Sequence, residues 1–194
     1  MVFALSGAGC VLLAILFAAL FWRQRGLSAR RLARCAMVAA AYVVLCLAFQ
    51  PISYGPVQVR LAEALCLLPV FGGEYAAAVT LGCVLANLFG YGPLDALFGG
   101  LATLLACLFT WRLRGVRLRG LALPASLPPV IFNAVIVGAE LTLFFTDGGA
   151  SLPAFLWNSL TVGIGEGISC CVLGTALVRA IERRPQLLSA FRQG

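Results

Sequence analysis

PLDALFGGLATLLACLFTWRLRGVRLR, residues 93–119, decides how this chain folds. No charge falls between Asp95 and Arg112, and then Arg112, Arg114, Arg117 and Arg119 follow within eight residues. A bilayer core takes about 20 residues of helix at about 1.5 Å rise each. Arginines beside such a run mark the cytoplasmic edge of the membrane. The stretch therefore reads as a membrane helix that starts at Pro93, a residue suited to the first helical position, and ends inside at about Trp111.

The rest of the chain repeats this pattern. Its 194 residues are 62% hydrophobic and 11% charged, with a mean hydropathy of +1.01. A soluble domain has about 45–50% apolar and about 25% charged residues, so this is an integral membrane protein. The formal charge of +7 comes from 14 basic residues, all arginine, of which 13 cluster at 23–34, 112–119 and 179–192. Short basic segments between apolar runs set topology and meet anionic headgroups, and they do not form the continuous face that nucleic acid requires. Histidine is absent, and the eight cysteines show no C-x-x-C pair. No metal site or disulfide is expected, and the cysteines read as small hydrophobes in apolar runs. There is no Walker A loop, nucleophile elbow or zinc signature, so neither a cofactor nor an internal energy source is expected.

The alternation of apolar runs and arginines predicts an all-α fold of seven membrane helices. Residues 2–22 form an N-terminal anchor, left uncleaved because the charges follow the apolar run. Helices follow at about 32–49, 60–71, 74–88, 93–111, 121–145 and 152–180. Every arginine cluster, and the C-terminus, then lies on the cytoplasmic side. Pro51, Gly55 and Pro56 make 50–60 an irregular outer loop, Gly72-Gly73 an inner turn, and the segment from Asp147 to Ser151 another outer turn. The domains are 1–31, an anchor with a basic loop; 32–184, a six-helix substrate-binding domain; and 185–194, a cytoplasmic tail.

Charges within hydrocarbon cost about 2.5–3.5 kcal/mol on insertion scales, so each requires a reason. Glu140 and Glu166 stand in apolar surroundings with no arginine nearby in sequence. Asn133 lies seven residues before Glu140 and Ser159 seven before Glu166, two helical turns on the same face, with Asn158 adjoining. Asn87 lies just below an outer turn. These polar stripes either face one ligand cavity or hold helices together by hydrogen bonds. Asp95 and Glu74 fall in first helical turns, where a carboxylate complements the macrodipole, and that plain role is preferred for both.

Arg60 is the one arginine outside the clusters. With Glu63 one turn on, it either pairs on a helix surface or shapes an outer entrance. The spacing Gly163-x-x-x-Gly167 suits packing inside the bundle, and Ala36-x-x-x-Ala40 offers a flat small-residue face for another protein.

Several stretches resemble the QueT family: Ala-Met-Val-Ala-Ala-Ala-Tyr at 36–42, Pro-Ile-Ser-Tyr-Gly-Pro-Val-Gln-Val-Arg-Leu-Ala-Glu-Ala-Leu at 51–65, Leu-Gly-Cys-Val-Leu-Ala-Asn-Leu-Phe at 81–89, and Leu-Asp-Ala-Leu-Phe-Gly-Gly-Leu-Ala-Thr-Leu at 94–104. Residues 133–141 and 161–166 look like its last two helices. The resemblance implies a substrate-binding S component of an energy-coupling factor (ECF) transporter, importing queuosine precursors of the 7-deazaguanine class. A transmembrane T component and two ATPase subunits would energise it, with Ala36 and Ala40 docking the T component. S components of this kind usually have six helices, and the helix before Trp22 departs from that pattern.

Such a ligand suits the polar residues. Glu140 and Glu166 offer acceptors for a guanine-like edge or an aminomethyl cation. Asn87, Asn133 or Asn158 would read ring polar atoms, and Tyr54, Phe132 or Trp157 would stack on the ring. Arg60 and Glu63 become an entrance gate, and which carboxylate meets which ligand group stays open. Two rival functions are an autonomous secondary transporter of a similar solute and a membrane enzyme using the buried glutamates. The latter lacks a nucleophile, a metal or a cofactor motif.

Overall fold

The computed structural model describes residues 28–49, 59–146 and 149–192. The expected anchor at 2–22, Tyr54 with the loop 50–58, and Asp147 lie outside these residues. Among the described residues the regular structure is helical, apart from one β-bridge between Leu118 and Leu121.

The elements are α1 (Ala29–Ala48), a 3₁₀ helix (Leu61–Val70), α2 (Glu74–Gly90), α3 (Pro93–Arg112), α4 (Leu123–Phe144), α5 (Leu152–Glu166), a π-helical segment (Gly167–Gly174), α6 (Thr175–Glu182) and α7 (Pro185–Arg192). Among the described residues four helices are long and apolar enough to cross a membrane: Ala29–Ala48, Pro93–Arg112, Leu123–Phe144 and the continuous Leu152–Glu182. Leu61–Val70 and Glu74–Gly90 are apolar but shorter.

Local chemistry explains the boundaries that differ from expectation. Ser28 caps α1, accepting from the Arg31 N–H at 3.4 Å, so the helix takes in the arginines that were expected to precede it. Leu61–Val70 is 3₁₀ and not α; Pro69 has no N–H for the Cys66 carbonyl, and the Cys107 thiol lies 3.9 Å from that carbonyl. In α4, Pro129 likewise frees the carbonyl of Ala125, which accepts from Thr110 Oγ1 at 2.8 Å. The expected polar tail is the short helix α7, whose Phe191 ring packs 5.7 Å from Phe71 and 5.4 Å from Tyr75. An apolar residue at this spacing gives α7 a face to bury, which its arginine and glutamine content conceals in a composition reading.

Consecutive helices pack side by side from α1 to α5, and the 3₁₀ helix runs through the middle, against α1, α3 and the π segment. Tyr42, Leu67, Leu68, Tyr75, Val79, Cys83 and Cys170 fill the core. Gly82 lets α1 and α2 approach closely, since a Cβ there would stand 2.8 Å from the Ala39 carbonyl oxygen. Large apolar side chains such as Met37, Val44, Phe89, Ile131, Leu156 and Val172 cover the outside, as a lipid-facing surface requires.

Ion pairs and ring contacts gather the described arginine clusters at one end. Arg31 reaches Glu74 at 3.6 Å, tying the start of α1 to the start of α2. Arg117, in the loop after α3, reaches Glu182 at the end of α6 at 2.6 Å. The Tyr75 hydroxyl donates to the Phe191 carbonyl at 3.3 Å, joining α7 to the same end. Arg60 enters the bundle from the opposite end, where the Tyr91 turn and the first turn of α3 also lie.

Candidate functional site

The guanidinium of Arg60 lies over the Tyr91 ring, 5.1 Å from its centroid, at the start of the 3₁₀ helix. Among the described residues Arg60 forms no ion pair with Glu63; the pairs are Arg31–Glu74 and Arg117–Glu182. Glu63 turns inward and is only 1% exposed. The Tyr42 hydroxyl donates to its Oε1, and the Cys66 thiol donates to its Oε2 at 2.9 Å. The Cys170 thiol lies 3.2 Å from the Glu63 carbonyl and 3.5 Å from Glu166 Oε2. Helix α1, the 3₁₀ helix and the π segment are thus joined around two buried acids.

Glu166 is the last residue of α5 before the backbone widens into π geometry. Such π-bulges occur frequently at functional sites, because they turn a side chain out of the regular helical register. Ser169, within the π segment, is buried and its hydroxyl has no partner among the described residues.

Glu140 sits in the second half of α4 and is fully buried at 0% exposure, with neither carboxylate oxygen hydrogen-bonded among the described residues. Two turns along the same helix, Asn133 is 3% exposed and its Nδ2 also has no partner among the described residues. On α5 the Ser159 hydroxyl is unpartnered among the described residues too. It lies where α4 and α5 come closest, since a Cβ on Gly138 would stand 2.5 Å from Ser159 Oγ. Buried polar groups are overwhelmingly hydrogen-bonded, so unsatisfied groups collected on neighbouring helix faces call for an explanation.

Arg60 is close enough to Glu63, Asp95, Glu140 and Glu166 for its charge to interact with all four. The fold thus brings Arg60, Glu63, Glu140 and Glu166 into one electrostatic neighbourhood, with Asn133 on the Glu140 face. It adds Tyr42, Tyr91 and Asp95, which the sequence analysis did not assign to a site. Tyr42 and Glu63 are 21 positions apart, and no spacing rule connects them.

The other predicted residues are placed differently. The Asn87 amide donates to the Asp95 carbonyl at 3.0 Å and also lies 3.5 Å from Cys83 Sγ, tying α2 to the start of α3. The Asn158 amide bridges to Thr142 at 3.0 Å and Thr146 at 3.3 Å on α4. Trp157 is 66% exposed on the outer surface of α5, a position typical of an aromatic belt. Phe132 packs on Phe109 at 5.2 Å in an outer groove between α3 and α4. Ala36 and Ala40 lie on the exposed side of α1, opposite its buried face of Val38, Ala39, Tyr42 and Cys46. Among the described residues no group of three or more His, Cys, Asp or Glu side chains is arranged to hold a metal ion.

A helical membrane bundle that keeps carboxylate, amide and hydroxyl groups unpaired in its interior has the make-up of a membrane protein that handles a polar solute. The chain belongs to the QueT transporter family, which it matches over residues 32–183. It is 42% identical over 71 residues to the queuosine precursor transporter QueT of Lactococcus lactis subsp. cremoris (strain MG1363). That alignment covers 36% of this chain and 42% of the relative's length. No solved structure matches. Family and relative are transporters and not enzymes.

Proposed function

We propose that this chain is the substrate-binding S component of an ECF transporter, importing queuosine precursors of the 7-deazaguanine class. A six-helix domain preceded by an N-terminal anchor carries this function, with the arginine-rich end cytoplasmic and the Arg60 end facing outward. The observation that carries the reading is Glu140, whose two buried oxygens have no hydrogen-bond partner among the described residues, on the same helix face as the Asn133 Nδ2 two turns away, which has none either. A guanine-like edge presents adjacent N–H donors that one carboxylate accepts in parallel, and its carbonyl accepts from an amide. Such a ligand would satisfy both groups at once, which is the condition for burying them.

The surrounding residues take supporting roles. Glu166 supplies a second acceptor next to the π segment. Glu63 holds Tyr42 and the 3₁₀ helix in place behind Arg60, whose guanidinium over Tyr91 guards the entrance. Tyr54 is the proposed stacking ring, while Asn87 and Asn158 hold the helices that frame the site. The exposed small residues Ala36 and Ala40 give the T component a flat face on α1, and two ATPase subunits drive the cycle.

Uptake of labelled 7-deazaguanine in cells with and without the ATPase module tests the assignment. Uptake is expected only with the module, and uptake that survives its loss overturns the S component in favour of an autonomous secondary transporter.

A further inference from the structure

The outer groove between α3 and α4 opens at the arginine-bearing end of the bundle. It has a volume of about 420 Å³ and is lined by Phe109 and Leu113 on one side and Leu127, Pro128, Ile131 and Phe132 on the other. Its walls are fixed: the buried Thr110 hydroxyl donates to the Ala125 carbonyl at 2.8 Å, and the Phe109 and Phe132 rings meet at 5.2 Å. Leu127 and Ile131 stand exposed on the rim, and Pro128 is buried between them. The loop that joins the two helices spans the end of the groove. Arg112 and Arg114 flank Leu113 there, and the Arg114 guanidinium is held 4.9 Å over the Trp111 ring while donating to the Trp111 carbonyl at 3.1 Å. Arg119 stands in a tight turn closed by reciprocal 3.0 Å hydrogen bonds between Leu118 and Leu121. All three arginines are exposed, and among the described residues the ion pairs at this end take Arg31 and Arg117 instead.

A fixed apolar groove on the lipid-facing surface with guanidinium groups at its mouth has the two halves of a phospholipid site. An acyl chain gains little by leaving other chains for an apolar groove, so the groove supplies shape and the head group supplies selection. Guanidinium groups meet a phosphate diester through paired N–H donors, and a head group with no cation of its own leaves that attraction uncancelled. A partner helix fits this groove poorly, because membrane helices meet through small residues that let backbones approach, and Phe109, Leu127 and Ile131 stand on this face. We propose that the groove between α3 and α4 is a binding site for an anionic phospholipid, with one acyl chain between Phe109 and Ile131 and the phosphate held by Arg112, Arg114 and Arg119. The site is independent of the solute that the bundle carries.

The full chain, purified in detergent, is titrated with equimolar phosphatidylglycerol and phosphatidylcholine of matched acyl chains, and native mass spectrometry reads which is the first lipid bound. Each arginine near an anionic head group contributes about fivefold in affinity, so wild type is expected to favour phosphatidylglycerol about tenfold or more. The triple variant Arg112→Gln, Arg114→Gln, Arg119→Gln is expected to bring that preference to about twofold. The control Arg183→Gln, Arg184→Gln removes charge at the same end away from the groove and is expected to keep it. Ile131→Trp fills the groove and is expected to lower phosphatidylglycerol binding about tenfold, and Leu127→Trp, one turn away on the same rim, repeats the test in a second background. Equal binding of the two lipids by wild type overturns the site. An equal loss of preference in the triple variant and the control means annular lipid held by diffuse charge only, and overturns it as well. Undiminished phosphatidylglycerol binding in both tryptophan variants shows that the groove does not seat the chain, with the same consequence.

Discussion

Replacing Glu140 should improve the fold while damaging function. The side chain is fully buried, and neither carboxylate oxygen has a hydrogen-bond partner among the described residues. A buried unsatisfied polar group costs about 1–3 kcal/mol, so Glu140→Met, similar in length and apolar, should stabilise the unliganded protein by about that amount. Glu140→Gln keeps the shape but loses charge-assisted acceptance, which is worth about 1.5–3 kcal/mol, or about 10- to 150-fold in Kd. Thermal unfolding in detergent measures the first effect, and calorimetric titration with 7-deazaguanine the second. A structural carboxylate behaves in the opposite way: its removal lowers Tm and leaves ligand affinity untouched. That pair of results would refute the assignment of Glu140 to ligand binding. Opposed changes in stability and affinity from one side chain are the signature of a site kept at the expense of the fold.

Other expectations follow from the surface of α1 and the contact of α4 with α5. Ala36→Trp or Ala40→Trp places a large ring on the exposed side of α1. Co-purification with the T component should be lost while ligand titration is unchanged; loss of ligand binding with the complex intact would contradict a docking role. Gly138→Val brings a Cβ to 2.5 Å from Ser159 Oγ and 2.9 Å from Ser159 Cα, so α4 and α5 must separate. Overpacking of this kind costs about 1–3 kcal/mol, and an unchanged Tm would show that the two helices pack less tightly than described.

Some of this was legible residue by residue. The arginines of 112–119 mark a helix end because the cost of moving a guanidinium into hydrocarbon depends on that residue and its neighbours in sequence. Glu140 and Glu166 were conspicuous for the same reason. Asp95 was not: a carboxylate in a first helical turn is sufficiently explained by the helix dipole, and the reach of the Arg60 charge to it depends on the packing of the 3₁₀ helix on α3. Glu63 gave no sign that Tyr42, on another helix, would bind its carboxylate. Trp157 is an aromatic next to polar residues in sequence, yet the rotation of α5 turns it outward.

The amino-acid sequence by itself determined that the chain is helical and built for a membrane, where its arginine-bearing helix ends fall, and which carboxylates need a reason to be buried. These follow from transfer free energies, which are additive along a short stretch of chain. The tertiary structure alone decided which way each helix faces, and therefore that polar atoms of Glu140, Asn133 and Ser159 are left unpaired among the described residues while Asn87 and Asn158 are used up in helix contacts. Helix rotation is set by close approaches such as Gly82 against Ala39 and Gly138 against Ser159. Those contacts join residues far apart in sequence, and only the packed bundle brings them together.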